Sequence, residues 1–82
     1  MLSPPVLIEW VDISSFDGSW MEMSDARQYK PLTVKTCGWV VVETSEYITL
    51  VSSVSDDEET TGSVNSIPKG CVVSVTALGC VP

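Results

Sequence analysis

The sequence predicts a mainly β protein built from short antiparallel strands, and three observations support this. β-Branched residues alternate with polar residues through 32–44 and again through 47–54. Residues 44–46, which separate these two runs, have the length of a hairpin connection. The tetrapeptide Ile67-Pro68-Lys69-Gly70 indicates a tight or 3₁₀-like turn before a last apolar run, because proline fixes φ and glycine adopts many backbone conformations.

The first part of the chain is predicted to hold one strand and one short helix. Val6, Ile8 and Trp10 share one face of residues 6–13, which suits a strand with one side in the core. Residues 19–22 read Ser-Trp-Met-Glu and fit a capping box. Because Pro31 ends any helix, we expect a short helix or helical turn within residues 20–29.

The second part is predicted to hold four strands, at residues 32–44, 47–54, 63–67 and 71–78. Gly38 interrupts the first of them and indicates a bulge, a bend or a close backbone approach, which leaves the facing of Trp39 open. Four consecutive carboxylates make residues 55–62 a solvated acidic loop. Residues 79–82 are expected to be a frayed tail.

Five short strands with a long first connection, a tight hairpin, an exposed loop and a turn before the last strand have the order of SH3-like small barrels. We therefore predict a five-stranded SH3-like antiparallel barrel, since closure covers the edges of a valine-rich sheet. A four-stranded α+β module is the main alternative, but it would need a longer helix than residues 20–29 provide. The chain, residues 1–82, is expected to be a single domain.

The charge of the chain restricts its partners. Eleven Asp and Glu against four Lys and Arg give a net charge of −7. A phosphate backbone needs clustered cations, so we expect no direct binding of nucleic acid. The sequence has neither an apolar run of about 18 residues nor a basic, apolar leader, so we expect no membrane association and a cytoplasmic location.

The sequence also offers no catalytic or metal-binding set. It contains three cysteines, Cys37, Cys71 and Cys80, without C-x-x-C spacing, and no histidine. Buried thiols that pack as small apolar groups are the favoured interpretation, and Cys37 lacks a histidine to activate it as a nucleophile. We therefore predict no metal, no cofactor and no enzymatic activity.

One pattern of residues extends over most of the chain. It comprises Trp10-Val11-Asp12, Ser19-Trp20, Ala26, Pro31, Gly38-Trp39-Val40-Val41, Ile48-Thr49-Leu50 and Ile67-Pro68-Lys69-Gly70. This pattern resembles that of short proteins encoded by tailed phages and prophages, which have no assigned family function. The resemblance implies an accessory phage protein, which would act in the cytoplasm of the host cell. It implies no activity and no functional residue.

Large aromatic rings and carboxylates are the candidates for partner binding. Three tryptophans and two tyrosines are many for so small a core, although aromatic residues at strand and helix spacing usually pack inside. The acidic groups would face a basic protein surface, although a solubility role explains such charges more often. The candidate residues are Phe16, Trp20, Tyr29, Trp39, Glu43, Glu46, Asp56, Asp57, Glu58 and Glu59.

Three functions follow as hypotheses. The favoured one is a non-enzymatic phage protein that binds a host protein with a basic surface, for example to inhibit a defence or replication factor. The second is an oligomeric binder that sequesters a nucleotide-like signal, with Arg27, Lys30 and Lys35 near its phosphate. The third is a virion structural or decoration subunit. The high apolar fraction, 44%, also favours a homodimer, because subunit contact covers apolar surface.

Overall fold

The computed structural model describes residues 2–79 and shows a mainly β chain with five antiparallel strands. A one-turn helix lies between the first two strands, and a 3₁₀ turn precedes the last. The elements are β1 (Val6–Asp12), α1 (Met23–Ala26), β2 (Leu32–Glu43), β3 (Tyr47–Val54), β4 (Thr61–Pro68), the 3₁₀ turn (Lys69–Cys71) and β5 (Val72–Ala77). The predicted frayed tail, apart from Gly79, lies outside the described residues.

The strands form one sheet in the order β4-β3-β2-β1-β5, and every neighbouring pair is antiparallel. β2 is the longest described strand, and successive parts of it pair with two different neighbours. Its residues 32–38 pair with β1, and its residues 39–43 pair with β3. The hydrogen-bonded sheet is not closed, because β4 and β5 each have a single neighbour among the described strands. The predicted barrel closure is therefore absent from the strand pairing.

The core lies on one face of this sheet. Ile8, Ile48, Leu50 and Ile67 form a buried cluster, against which Trp10 and several smaller apolar side chains pack. The cross-strand pair Ile48 and Ile67 explains why this face is continuous, since directly paired residues point to the same side. Alternation within β3 was enough to predict that Ile48 and Leu50 point inward.

Val51 is buried as well, at 2% exposure, but on the opposite face of the sheet from Leu50. It pairs with Trp39 of β2, while the next residue, Val40, pairs with Leu50. Because successive strand residues point to opposite faces, Trp39 covers Val51 outside the main core. Trp39 is accordingly half-buried and contributes to packing.

Gly38 marks a close backbone approach. A Cβ atom built on Gly38 would lie 2.5 Å from the backbone carbonyl oxygen of Val51, so a side chain does not fit there. The register shift of β2 lies further along, between Val40 and Val42. Of the alternatives open from the sequence, the close approach is correct at Gly38, and the bulge occurs three residues later at Val41.

The predicted capping box is wrong. Glu22 is the N-cap of α1 and makes no side-chain capping hydrogen bond, and the helix ends after a single turn at Ala26. None of its residues is buried. An isolated turn gains little from helix propensity, and α1 buries no residue in the core that would stabilise a longer helix.

Candidate functional site

Residues 13–31 form a long connection between β1 and β2, and hydrogen bonds between its two arms hold it in place. The Tyr29 hydroxyl donates to the backbone carbonyl of Ser15 at 2.8 Å. The Ser14 hydroxyl donates to the backbone carbonyl of Lys30. Both bonds join residues near opposite ends of the connection, so its middle part, which contains α1, projects from the sheet as a defined loop.

An open cavity of about 580 Å³ lies on this projecting part. Its walls combine apolar and acidic side chains from a short stretch of sequence. The lining residues are Phe16, Trp20, Met21, Glu22, Met23 and Asp25. Trp20 is 91% exposed and Met23 is 65% exposed, so the large apolar groups of the cavity are directed mainly at solvent.

The ring of Phe16 is placed by the chain that follows it. A Cβ atom built on Gly18 would lie 2.3 Å from the Phe16 ring, which shows that the ring lies directly over the glycine backbone. Phe16 and Trp20 line the same cavity. This arrangement presents aromatic surface at little cost in side-chain entropy, because aromatic side chains have few rotatable bonds.

The electrostatics of the cavity favour a cation. Glu22 and Asp25 are its charged lining residues, and both are exposed. A lysine or arginine side chain would find carboxylates for charge pairing and aromatic faces for cation–π contact in the same place. A phosphate would be repelled by the same carboxylates.

A second, smaller cavity of about 200 Å³ lies at the base of the connection. It is lined by Ile13, Ser14, Tyr29, Lys30 and Pro31. Tyr29 therefore belongs to a different surface from Phe16 and Trp20, and its hydroxyl serves to hold the connection. Of the four predicted aromatic contact residues, the structure brings Phe16 and Trp20 together and uses Trp39 for packing against Val51.

The predicted acidic residues fall into two separate groups. Glu43 and Glu46 lie at the turn before β3, whereas residues 56–59 lie at the turn after it. Turns at the two ends of an eight-residue strand are about 25 Å apart. The two groups therefore lie at opposite ends of β3, because consecutive hairpins place their turns at opposite ends of the shared strand.

Glu43 is paired with a cation. Its Oε2 atom lies 2.7 Å from Nζ of Lys69, with both side chains partly exposed. The backbone N–H of Lys69 also donates to the carbonyl of Glu46 at 2.8 Å, which ties the 3₁₀ turn to the β2–β3 turn. The charge of Glu43 is thus partly neutralised locally, and it has less to offer a partner than an unpaired carboxylate.

The acidic hairpin, residues 55–60, is an ordered turn. The Oδ1 atom of Asp57 accepts hydrogen bonds from the Ser55 hydroxyl at 2.6 Å and from the Glu59 backbone N–H at 3.0 Å. These two hydrogen bonds hold the pKa of Asp57 below its usual value, and the bond from Ser55 has the larger effect. Glu58 adopts a positive φ of 60°, which lets the chain reverse. Asp57 is therefore a turn-forming residue, while Asp56, Glu58 and Glu59 are exposed beside it.

The basic residues proposed for a phosphate ligand do not line the cavity that contains Trp20. Arg27 is the C-cap residue of α1, and Lys30 lines the smaller cavity. Lys35 lies in β2, directly opposite Glu9 of β1. None of the three lines the cavity of Phe16 and Trp20.

The thiols differ from the sequence-based interpretation in one respect. Cys71 is half-buried and packs against the core, as expected, whereas Cys37 is exposed on β2. Cys80 lies outside the described residues.

Among residues 2–79, no group of three or more Cys, Asp or Glu side chains is arranged to hold a metal ion. The described helices are all too short to span a membrane.

Sequence analysis missed four residues that line the larger cavity, namely Met21, Glu22, Met23 and Asp25. All four fall within the segment predicted to form a short helix or helical turn, residues 20–29, so the sequence alone assigns them no binding role. Two methionines next to a tryptophan in an otherwise polar segment were the available signal, since methionine is common at adaptable binding surfaces.

Comparisons with known proteins give no match for this chain among family models, curated proteins or solved structures. Its function is therefore inferred from the geometry.

Proposed function

We propose that the protein is a non-enzymatic interaction module that binds a basic surface of another protein through its β1–β2 connection. The observation that carries this proposal is the exposed Trp20 side chain, which lines a cavity together with Phe16, Met23 and two carboxylates. Tryptophan is among the residues that most often dominate binding energy at protein interfaces. An indole that is 91% exposed contributes little to folding, so its apolar surface remains free to be buried by a partner.

The chemistry of the cavity supports a cationic group as the part of the partner that enters it. A lysine or arginine side chain pairs with Glu22 and Asp25 through charge and with Trp20 through its ring face. The net charge of −7 acts in the same direction, since it speeds encounter with a basic surface and disfavours acidic ones.

The strand arrangement supports an SH3-like scaffold for this site. β2 pairs with β1 along its first half and with β3 along its second half, and a 3₁₀ turn links β4 to β5. These features match the order of elements predicted for an SH3-like barrel, in which the long first connection is a common recognition site.

Within this proposal the protein is a phage accessory protein, and its partner is a host protein such as a defence or replication factor. The sequence pattern that runs from Trp10 to Gly70 supports this assignment. A nucleotide-like ligand is less well supported, because carboxylates line the aromatic cavity and none of Arg27, Lys30 and Lys35 lines it.

The test is affinity capture from a bacterial lysate with immobilised wild-type protein, Trp20→Ser and Val64→Ser. Val64 is a matched control because it is also an exposed apolar residue, at 61%, but lies on β4. The proposal predicts a protein with a basic surface that is retained by wild type and by Val64→Ser and is lost from Trp20→Ser. Equal retention by all three baits would refute it.

A further inference from the structure

The chain exposes more surface than a compact monomer of its mass. Its accessible surface is 6299 Å². A folded monomer of this mass, 8.9 kDa, exposes about 4,800 Å². The radius of gyration, 16.5 Å, also exceeds the value of about 12 Å that is typical of a compact domain of this length.

This excess has the size of a protein interface. It amounts to about 1,500 Å², whereas a standard interface covers about 800 Å² on each partner. The excess is larger than one such area, so the chain has enough exposed surface for a contact on the sheet as well as one at the β1–β2 connection.

The free edge of β5 is the best candidate for this contact on the sheet. Within residues 2–79, β5 pairs with β1 alone, so the backbone N–H and C=O groups of its other edge have no strand partner. The register irregularity opposite Glu9 and Trp10 lies near the start of β5, and residues 74–77 pair regularly with β1. An exposed, regular edge of this kind is a template for another strand.

The side chains of β5 leave this edge unprotected. The strand reads Val-Val-Ser-Val-Thr-Ala and contains no charge and no proline. Val73 is 60% exposed and Val75 is 50% exposed. Natural proteins usually block an edge with charge, proline or a strong irregularity, and residues 74–77 carry none of these devices.

The other edge of the sheet is better protected. β4 contains Ser63 at a positive φ of 55°, and it ends at Pro68, which has no N–H to donate. β4 also follows the acidic hairpin, residues 55–60, whose charges would repel a second copy. The two edges therefore differ in both backbone geometry and charge.

We propose that β5 pairs antiparallel with β5 of a second copy of this chain across a two-fold axis. A second copy fits this edge because an antiparallel pair of identical strands satisfies its own hydrogen bonds and needs no complementary charge. Each chain has a net charge of −7, so two copies approach best through an uncharged strand. In the strand order, β5 is also the strand furthest from the acidic hairpin. The pairing joins two five-stranded sheets into one of ten strands.

The test measures solution mass by light scattering for wild type, Val75→Lys and Val64→Lys. Both valines lie on an edge strand and are exposed, at 50% and 61%, and Val75 belongs to the regular part of β5. Wild type and Val64→Lys are expected to have twice the 8.9 kDa chain mass. Val75→Lys is expected to weaken the dimer about a hundredfold or more, because two cations would meet at one short uncharged interface.

A monomeric wild type, or a dimer that is broken by Val64→Lys and not by Val75→Lys, would overturn the proposal. Should Val75→Lys fail to fold, amide hydrogen exchange of wild type decides, since protection of residues 74–77 must rise with protein concentration. Protection that is independent of concentration contradicts the pairing. Trp20→Ser is expected to remain a dimer, which separates this proposal from the function assigned to the β1–β2 connection.

Discussion

Gly38 and Val51 are held so close together that no side chain fits between them, because a Cβ atom on Gly38 would lie 2.5 Å from the Val51 carbonyl oxygen. This contact lies where β2 passes from its pairing with β1 to its pairing with β3. It therefore couples the two halves of the sheet, and the position of every later residue of β2 depends on it.

We expect Gly38→Ala to lower the free energy of unfolding by about 1–3 kcal/mol, because the backbone must move to admit a methyl group. Gly70→Ala is the matched control, since a Cβ atom there has no neighbour within 4 Å. Urea denaturation of both variants gives the comparison. Equal stability of the two variants would mean that the close approach at Gly38 does not exist.

The core cluster predicts a strong contrast between two leucines. Leu50 is fully buried, whereas Leu32 at the start of β2 is 56% exposed. We expect Leu50→Ala to cost about 2–5 kcal/mol of stability through lost burial and the remaining cavity. Leu32→Ala should stay within about 0.5 kcal/mol of wild type. Thermal unfolding followed by circular dichroism measures both, and a comparable loss at the two positions would place the core elsewhere.

Trp10 and Thr36 provide a test of the pairing between β1 and β2. The indole N–H of Trp10 donates to the Thr36 hydroxyl at 3.0 Å in a partly buried setting. We expect Trp10→Phe to lower the free energy of unfolding by about 1 kcal/mol through loss of this hydrogen bond, in addition to the loss from the smaller buried ring. A double-mutant cycle with Thr36→Val isolates the bond. A coupling energy of zero would show that the two side chains do not interact.

The acidic hairpin predicts a specific pH dependence. Hydrogen bonds from Ser55 and from the Glu59 backbone lower the pKa of Asp57, so the folded hairpin stabilises the ionised form of this carboxyl group. The stabilisation of the hairpin by the Asp57 carboxylate is complete above the pKa of an aspartate in the unfolded chain, about 3.9. It is lost as the pH falls through the lower pKa of Asp57 in the folded hairpin.

Asp57→Asn should remove this dependence and leave the rest of the sheet unchanged. Nuclear magnetic resonance signals of residues 55–60, followed from neutral to acidic pH, provide the measurement. Identical titration of the hairpin signals in wild type and Asp57→Asn would contradict the assigned role of the carboxylate. Because Asp57 is fully exposed, the effect is expected in the hairpin and not in global stability.

The strands could be predicted from sequence because their signals are local. Apolar and polar residues alternate along the segment that lies between residues 44–46 and the acidic run. This alternation predicts β3 with the bounds that the structure shows, Tyr47–Val54. β4 extends further than predicted, since pairing with β3 draws Thr61 and Pro68 into the strand. That extension depends on a neighbour and leaves no local trace in the sequence.

The cavity was harder to predict than the strands. Phe16 and Trp20 were identified, but the facing of Trp20 depends on where the β1–β2 connection leaves the sheet, which no local pattern encodes. The burial of Val51 beneath Trp39 was missed for a similar reason, because alternation assigns one core face and says nothing of packing on the other. Separation of Glu43 from the acidic hairpin follows from topology, once the two turns flanking β3 are known.

Trp20 is proposed to anchor a basic protein partner, and titration calorimetry of the captured partner measures its contribution to affinity. With wild type, Trp20→Ser and Val64→Ser, we expect about a thirtyfold or greater loss of affinity for Trp20→Ser alone, the effect typical of an interface hot spot. Wild-type affinity should also fall with added salt. Unchanged affinity of Trp20→Ser, with no dependence on salt, would show that Trp20 is not the anchor.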